Sequence, residues 1–138
     1  MAFSGNYVCT SFKSELLTGT HNFSSHTFKL ALFTNNATLN ASTTAYSTSD
    51  EASGTGYSAG GVTVSNVSVN TSGTTAFVDF DDVAISSSSI TARGALLYNS
   101  SASNKAVAVF DFGSDKTSSS STFTMPVNDA SNALVRIA

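Results

Sequence analysis

The chain has 138 residues and a formal net charge of −3, from six Lys and Arg against nine Asp and Glu. That length suits one hydrophobic core and not two, and six scattered cations form no basic stripe for phosphates, which argues against nucleic-acid binding. Roughly a third of the residues are Ser or Thr and only 11% are charged. This is the composition of a closely packed β-protein whose hydroxyls face solvent or partner chains, not of an enzyme that gathers acids, bases or metal ligands at one place.

Low charge and abundant serine also occur in disordered chains. Here the apolar residues cluster and alternate, as in Phe77-Val78-Asp79-Phe80 and Val107-Ala108-Val109-Phe110, and ten Phe supply bulky side chains for a core. The single cysteine, Cys9, can form no intrachain disulfide, so the fold must stand without one. The N-terminus shows no leader pattern and no apolar run reaches the length of a membrane span. The expectation is a chain made in a cytoplasm, with no membrane partner.

The N-terminal segment, residues 1–19, holds the one good helix candidate. Val8, Phe12 and Leu16 recur at a spacing of four on one face, and Gly19 follows as a stop. From Thr27 the period changes to two: Phe28, Leu30 and Leu32 alternate with other residues through Phe33. A polar stretch from Thr34 to Thr48 reads as a long surface loop. Residues 54–61 suggest a short strand ending in a tight turn. Val62 to Val69 reads as one strand with a bulge, because its valines slip from even to odd positions. A turn spanning Asn70 to Thr74 around Gly73 leads to its partner, Thr75 to Phe80. Further strands are expected at Ile90 to Tyr98, Lys105 to Phe112, Ser118 to Met125 and Asn132 to Ile137. The fold class implied is all-β, a β-sandwich of jelly-roll-like form with one short N-terminal helix, as a single domain over 1–138 with its strands in 27–138.

The motifs that could carry chemistry fail on context. Gly56-Tyr57-Ser58-Ala59-Gly60 matches G-x-S-x-G, but a nucleophile elbow needs a following helix and a later His, whereas His21 and His26 both precede Ser58. The two histidines are five residues apart with no nearby Cys or carboxylate cluster in sequence, which is no zinc pattern, and they read as part of a loop before the first strand. Asp79, Asp81 and Asp82 form the densest acidic cluster, without the spacing of a calcium loop. Gly54, Gly56 and Gly60 do not match a dinucleotide fingerprint. Asn36-Ala37-Thr38 and Asn66-Val67-Ser68 are chance acceptor triplets in a chain this rich in Asn, Ser and Thr. Cys9 reads as a small core residue. No catalytic residue, cofactor or metal is expected.

The run from Ser11 to His21, the strand Phe28 to Thr34, Gly54-Thr55-Gly56-Tyr57, Thr91 to Asn99 and Lys105 to Gly113 together resemble small virion structural proteins of tailed bacteriophages. Within that group the chain is most similar to a capsid cement, or decoration, protein. The resemblance implies a jelly-roll-like fold, no enzymatic activity, and the major capsid protein of a tailed phage as partner. It implies a location on the capsid exterior of the virion, bridging capsomers as a homodimer, with a trimer as the alternative. Its signatures carry over no contact residues. Phe3, Tyr7, Asp81 and Asp82 are the interface candidates, on the N-terminal arm and the acidic turn. Two rivals remain: a tail tube, baseplate or fibre component, and a carbohydrate-binding module using Tyr46, Tyr57 and Tyr98, since Trp is absent.

Overall fold

The computed structural model describes residues 3, 6–125 and 135–137. It is an all-β sandwich with one short helix. The elements run β1 (Tyr7–Val8), α1 (Thr10–Leu17), β2 (Phe28–Phe33), β3 (Gly54–Thr55), β4 (Val62–Thr63), β5 (Ser68–Ser72), β6 (Thr75–Asp79), β7 (Val83–Asn99), β8 (Lys105–Met125) and β9 (Arg136–Ile137). A six-stranded antiparallel sheet has the order β1-β8-β7-β2-β4, with β3 added on β7. A three-stranded antiparallel sheet has the order β5-β6-β9.

The larger sheet is built on the β7–β8 hairpin, with β2 laid along the C-terminal half of β7 from Phe28↔Asn99 to Phe33↔Gly94. Cross-strand partners share a face, so Phe28 and Leu30 lie with Asn99 and Leu97, while Ala31 and Phe33 lie with Leu96 and Gly94. Both faces are covered. On the first, Phe23 stacks on Phe28 at 4.4 Å, and Val78 and Phe80 arrive with the smaller sheet. On the second, Tyr46 stacks on Tyr98 at 4.5 Å. Strands covered on both sides become continuous apolar runs, and that is why Ala31 and Phe33 are as buried as Phe28, Leu30 and Leu32.

Helix α1 is shorter than the segment expected. Val8 belongs to β1, which pairs with Ala108 of β8, so only Phe12 and Leu16 of the anticipated stripe are helical. Gly19 does stop the helix: at φ +77° it lets Gly19 N–H reach Leu16 O (3.2 Å) and Thr20 N–H reach Glu15 O (2.9 Å), which is the Schellman arrangement.

Two further readings change. Val62 to Val69 is not one bulged strand: Val62 pairs on β2 of the larger sheet, Asn66 turns the chain at φ +54°, and Ser68 begins a strand of the smaller sheet. The valine slip records a change of sheet. The strands expected at Lys105 to Phe112 and Ser118 to Met125 are one, β8, and Ile90 to Tyr98 is the second half of a longer β7. The turn after β5 is narrower than expected, with only Gly73 and Thr74 between paired Ser72 and Thr75. Of the C-terminal strand, Arg136 and Ile137 pair with Phe77 and Ala76. Residues 132–134 lie outside the described residues. No helix among those described is long and apolar enough to cross a membrane.

Candidate functional site

The four interface candidates occupy different places. Phe3 is fully buried, its ring set where a Cβ on Gly94 would have to be, so it packs the core instead of lying on an outer face. Tyr7 is half-buried in β1, paired with Val109. Asp81 and Asp82 are exposed where the chain passes from β6 to β7. Asp81 accepts hydrogen bonds from Asn66 Nδ2 (2.6 Å) and Ser65 Oγ (3.3 Å), which brace the crossing between sheets. Val109 pairs with Leu96, which is thirteen positions along β7 from Val83, next to Asp82. That is roughly 40 Å along the ribbon at the usual strand rise. The structure does not bring the four together.

Two polar clusters went unrecognised in the sequence. Glu15 on α1 accepts from His21 Nε2 at 2.9 Å and meets Lys105 Nζ at 3.5 Å. Asn99 Nδ2, fully buried, contacts His21 Nδ1 at 3.0 Å and His26 Nδ1 at 2.9 Å, and Asn99 Oδ1 accepts from Ser101 N–H. The amide therefore donates to both rings, which leaves Nε2 of His21 as the donor to Glu15. Both histidines lie in the loop before β2, as read from the sequence, but they are used to fasten that loop and α1 to the end of β7.

The second cluster centres on Glu51. Its Oε1 accepts from Tyr46 OH and its Oε2 from Tyr57 OH, both at 2.6 Å, and Oε2 also takes Gly60 N–H at 2.9 Å. Tyr57 OH in turn accepts from Leu32 N–H (2.9 Å), and Tyr98 OH donates to Gly60 O. Burial, then the Glu51 carboxylate, raise the pKa of Tyr46, Tyr57 and Tyr98 above that of a free phenol. The long polar stretch after β2 is thereby sewn down: Ala106 N–H donates to Thr44 O and Tyr46 N–H to Asn104 O.

These contacts place each of the sequence motifs. Ser58 of G-x-S-x-G lies in a turn closed by Gly61 N–H to Ser58 O and followed by β4, not a helix, while both histidines are occupied with Asn99. Burial, and then Glu15, push the Cys9 thiol up to about 11, so it is a packing group at neutral pH. Among the described residues no group of three or more His, Cys, Asp or Glu is placed to hold a metal. Every buried side-chain polar atom described has a hydrogen-bond partner. Of the three tyrosines considered for a carbohydrate, Tyr98 is buried with Tyr46 stacked on it, and Tyr46 and Tyr57 are half-buried with their hydroxyls bound to Glu51.

The outward surface is what is left. Along β7 and β8 it is hydroxyl-rich: Ser86, Ser89 and Thr91 are exposed beside Thr117, Ser119 and Ser120. Around β5 it is partly apolar, with Val69, Ile137 and Leu17 exposed. No protein-family model, curated protein or solved structure matches this chain.

Proposed function

We propose that the chain is a non-enzymatic virion structural protein, a cement protein that binds the outer surface of a tailed-phage head and clamps neighbouring major capsid subunits. The observation that carries this reading is how its polar groups are divided. Inside, the Glu51 and Asn99 clusters consume the carboxylate, imidazoles and phenols in fastening loops to a sheet, without a disulfide. Outside, the long β7–β8 ribbon is rich in exposed hydroxyls, among which Asp115 and Lys116 are exposed charges of opposite sign. Such a surface docks on another protein with little of the desolvation cost a charged one carries, and symmetric repetition on a shell turns modest contacts into firm attachment.

The test is co-sedimentation of purified protein with capsids that lack it, followed by heating. Bound protein should raise the temperature at which the packaged DNA is released. Capsids that neither bind the protein nor change in heat resistance would overturn the reading, and a cryo-EM map with density on the tail alone would transfer it to the tail rival.

A further inference from the structure

We infer that the free edge of β5 is a self-association surface, on which a second copy of this chain adds its own β5 antiparallel about a two-fold axis at Asn70. This deepens the cement reading by naming the contact through which two copies would act together. Among the described residues β5 is the terminal strand of its sheet, and all five of its residues, Ser68–Ser72, are exposed. Strand edges are normally protected by Lys, Pro, a bulge or a covering segment. This edge contains no charged residue and no proline, and its pairing with β6 runs without a register shift.

The hairpin determines which backbone groups point outward. Gly73 (φ +60°) and Thr74 form a two-residue turn, so Ser72 and Thr75 are the hydrogen-bonded pair that closes it. Pairs alternate in an antiparallel ladder. Asn70–Phe77 and Ser68–Asp79 are therefore also bonded pairs, while Val69 and Thr71 turn their N–H and C=O groups to the open edge. A partner strand must oppose outward groups with outward groups. If the partner is β5 itself, setting Val69 against Thr71 of the other copy satisfies both ends of the strand at once, through four backbone hydrogen bonds, with Asn70 facing Asn70 on the axis.

Two observations favour a second copy over a different strand. The register that uses every outward group is self-complementary, which is what a two-fold interface requires. The edge is also uncharged, so self-pairing opposes no like charges. Val69 (57% exposed) and Ile137 (58% exposed) line one apolar hollow with Leu16 and Phe77, and a neighbouring strand beside β5 would cover part of it.

The test uses the full chain free in solution. Asn70→Cys should give a disulfide-linked dimer on mild oxidation, because opposed residues of a non-bonded pair bring their Cα atoms to about 4.5 Å. Ser72→Cys should not, as its two copies would lie roughly 13 Å apart along the strands; Cys9 is buried and stays out of the reaction. Sedimentation of the wild type should show a concentration-dependent dimer. Thr71→Pro, which removes an outward N–H and none from the β5–β6 ladder, should weaken it by about tenfold or more, with an unchanged melting temperature at concentrations where the wild type is monomeric showing that the fold persists. A wild-type monomer at all concentrations, or equal cross-linking at positions 70 and 72, would overturn the inference. So would a monomer whose capsid binding Thr71→Pro abolishes, since the edge would then belong to a capsid strand. Capsid binding with no dimer refutes this contact alone, and a dimer that ignores capsids refutes the cement role alone.

Discussion

Gly61 and Gly19 both have positive φ, +84° and +77°, yet for different reasons. A Cβ on Gly61 would strike Leu30 O and Ala31 Cα, because the turn ending at Gly61 presses its backbone against the buried β2. A Cβ on Gly19 would meet nothing within 4 Å. Replacing Gly19 by Ala thus incurs only the left-handed backbone penalty, about 1 kcal/mol. Gly61→Ala adds displacement of main chain in the core and should cost about 3 kcal/mol or more. Urea unfolding of the two variants checks this, and equal losses would mean that the approach to β2 is not tight. The side chains divide in the same way. Phe3 proves to be a core residue because Gly94 makes room for its ring, and no feature of the N-terminal sequence by itself points to that pairing.

At the scale of elements, what could be read in the chain was what depends on near neighbours. The alternation in Phe28 to Phe33, the Gly19 stop and the hairpin at Gly73 rest on side-chain period and on glycine's backbone freedom. The run Ser86 to Ser89 is opaque, because serine favours turns over strands, although its partner run, Ser118 to Ser121, falls within an expected strand. In the structure the two runs oppose each other across β7 and β8, with Ser88 paired to Ser121, and Ser87 (φ +49°) and Ser120 (φ +48°) mark where both strands are irregular. Ser88 Oγ, fully buried, bonds Ser118 Oγ (2.8 Å) and lies within reach of Ile85 O and Ser121 O. Hydroxyls here take up backbone groups that the distorted ladder leaves open. Ser88→Ala should destabilise by about 1–2 kcal/mol. Adding Ser118→Ala should cost less than the sum of the two single changes, since the pair shares one network. Thermal denaturation of the full cycle measures the coupling, and strict additivity would break the argument.

Across the whole molecule, stability rests on attachments between segments distant in sequence: Asn99 reaches back to His21 and His26, and Glu51 draws Tyr46, Tyr57 and Gly60 onto β2 and β7. Neither attachment could be read beforehand, because Glu51 beside Asp50 and Asn99 beside Ser100 have no local pattern to mark them. The Glu51 cluster carries a pH signature. The pKa values of Tyr46, Tyr57 and Tyr98 are raised in the folded chain, by burial and by Glu51. The native state therefore holds phenolic protons that the unfolded chain releases near the ordinary value of 10.0. Their stabilisation is complete below that pH and is lost as the pH rises toward the folded values, because proton release then favours the unfolded chain. Stability measured by urea unfolding should decline once the pH passes about 10. Tyrosinate absorbance from these three residues should appear together with loss of structure, not before it. Glu51→Gln weakens the charge-assisted bonds and should cost about 2 kcal/mol at neutral pH. The same change removes the anion that opposes phenolate formation, so the alkaline decline should become shallower. A variant that is weaker at pH 7 and equally steep above pH 10 would show that burial alone holds the tyrosines protonated, leaving Glu51 a tether and nothing more.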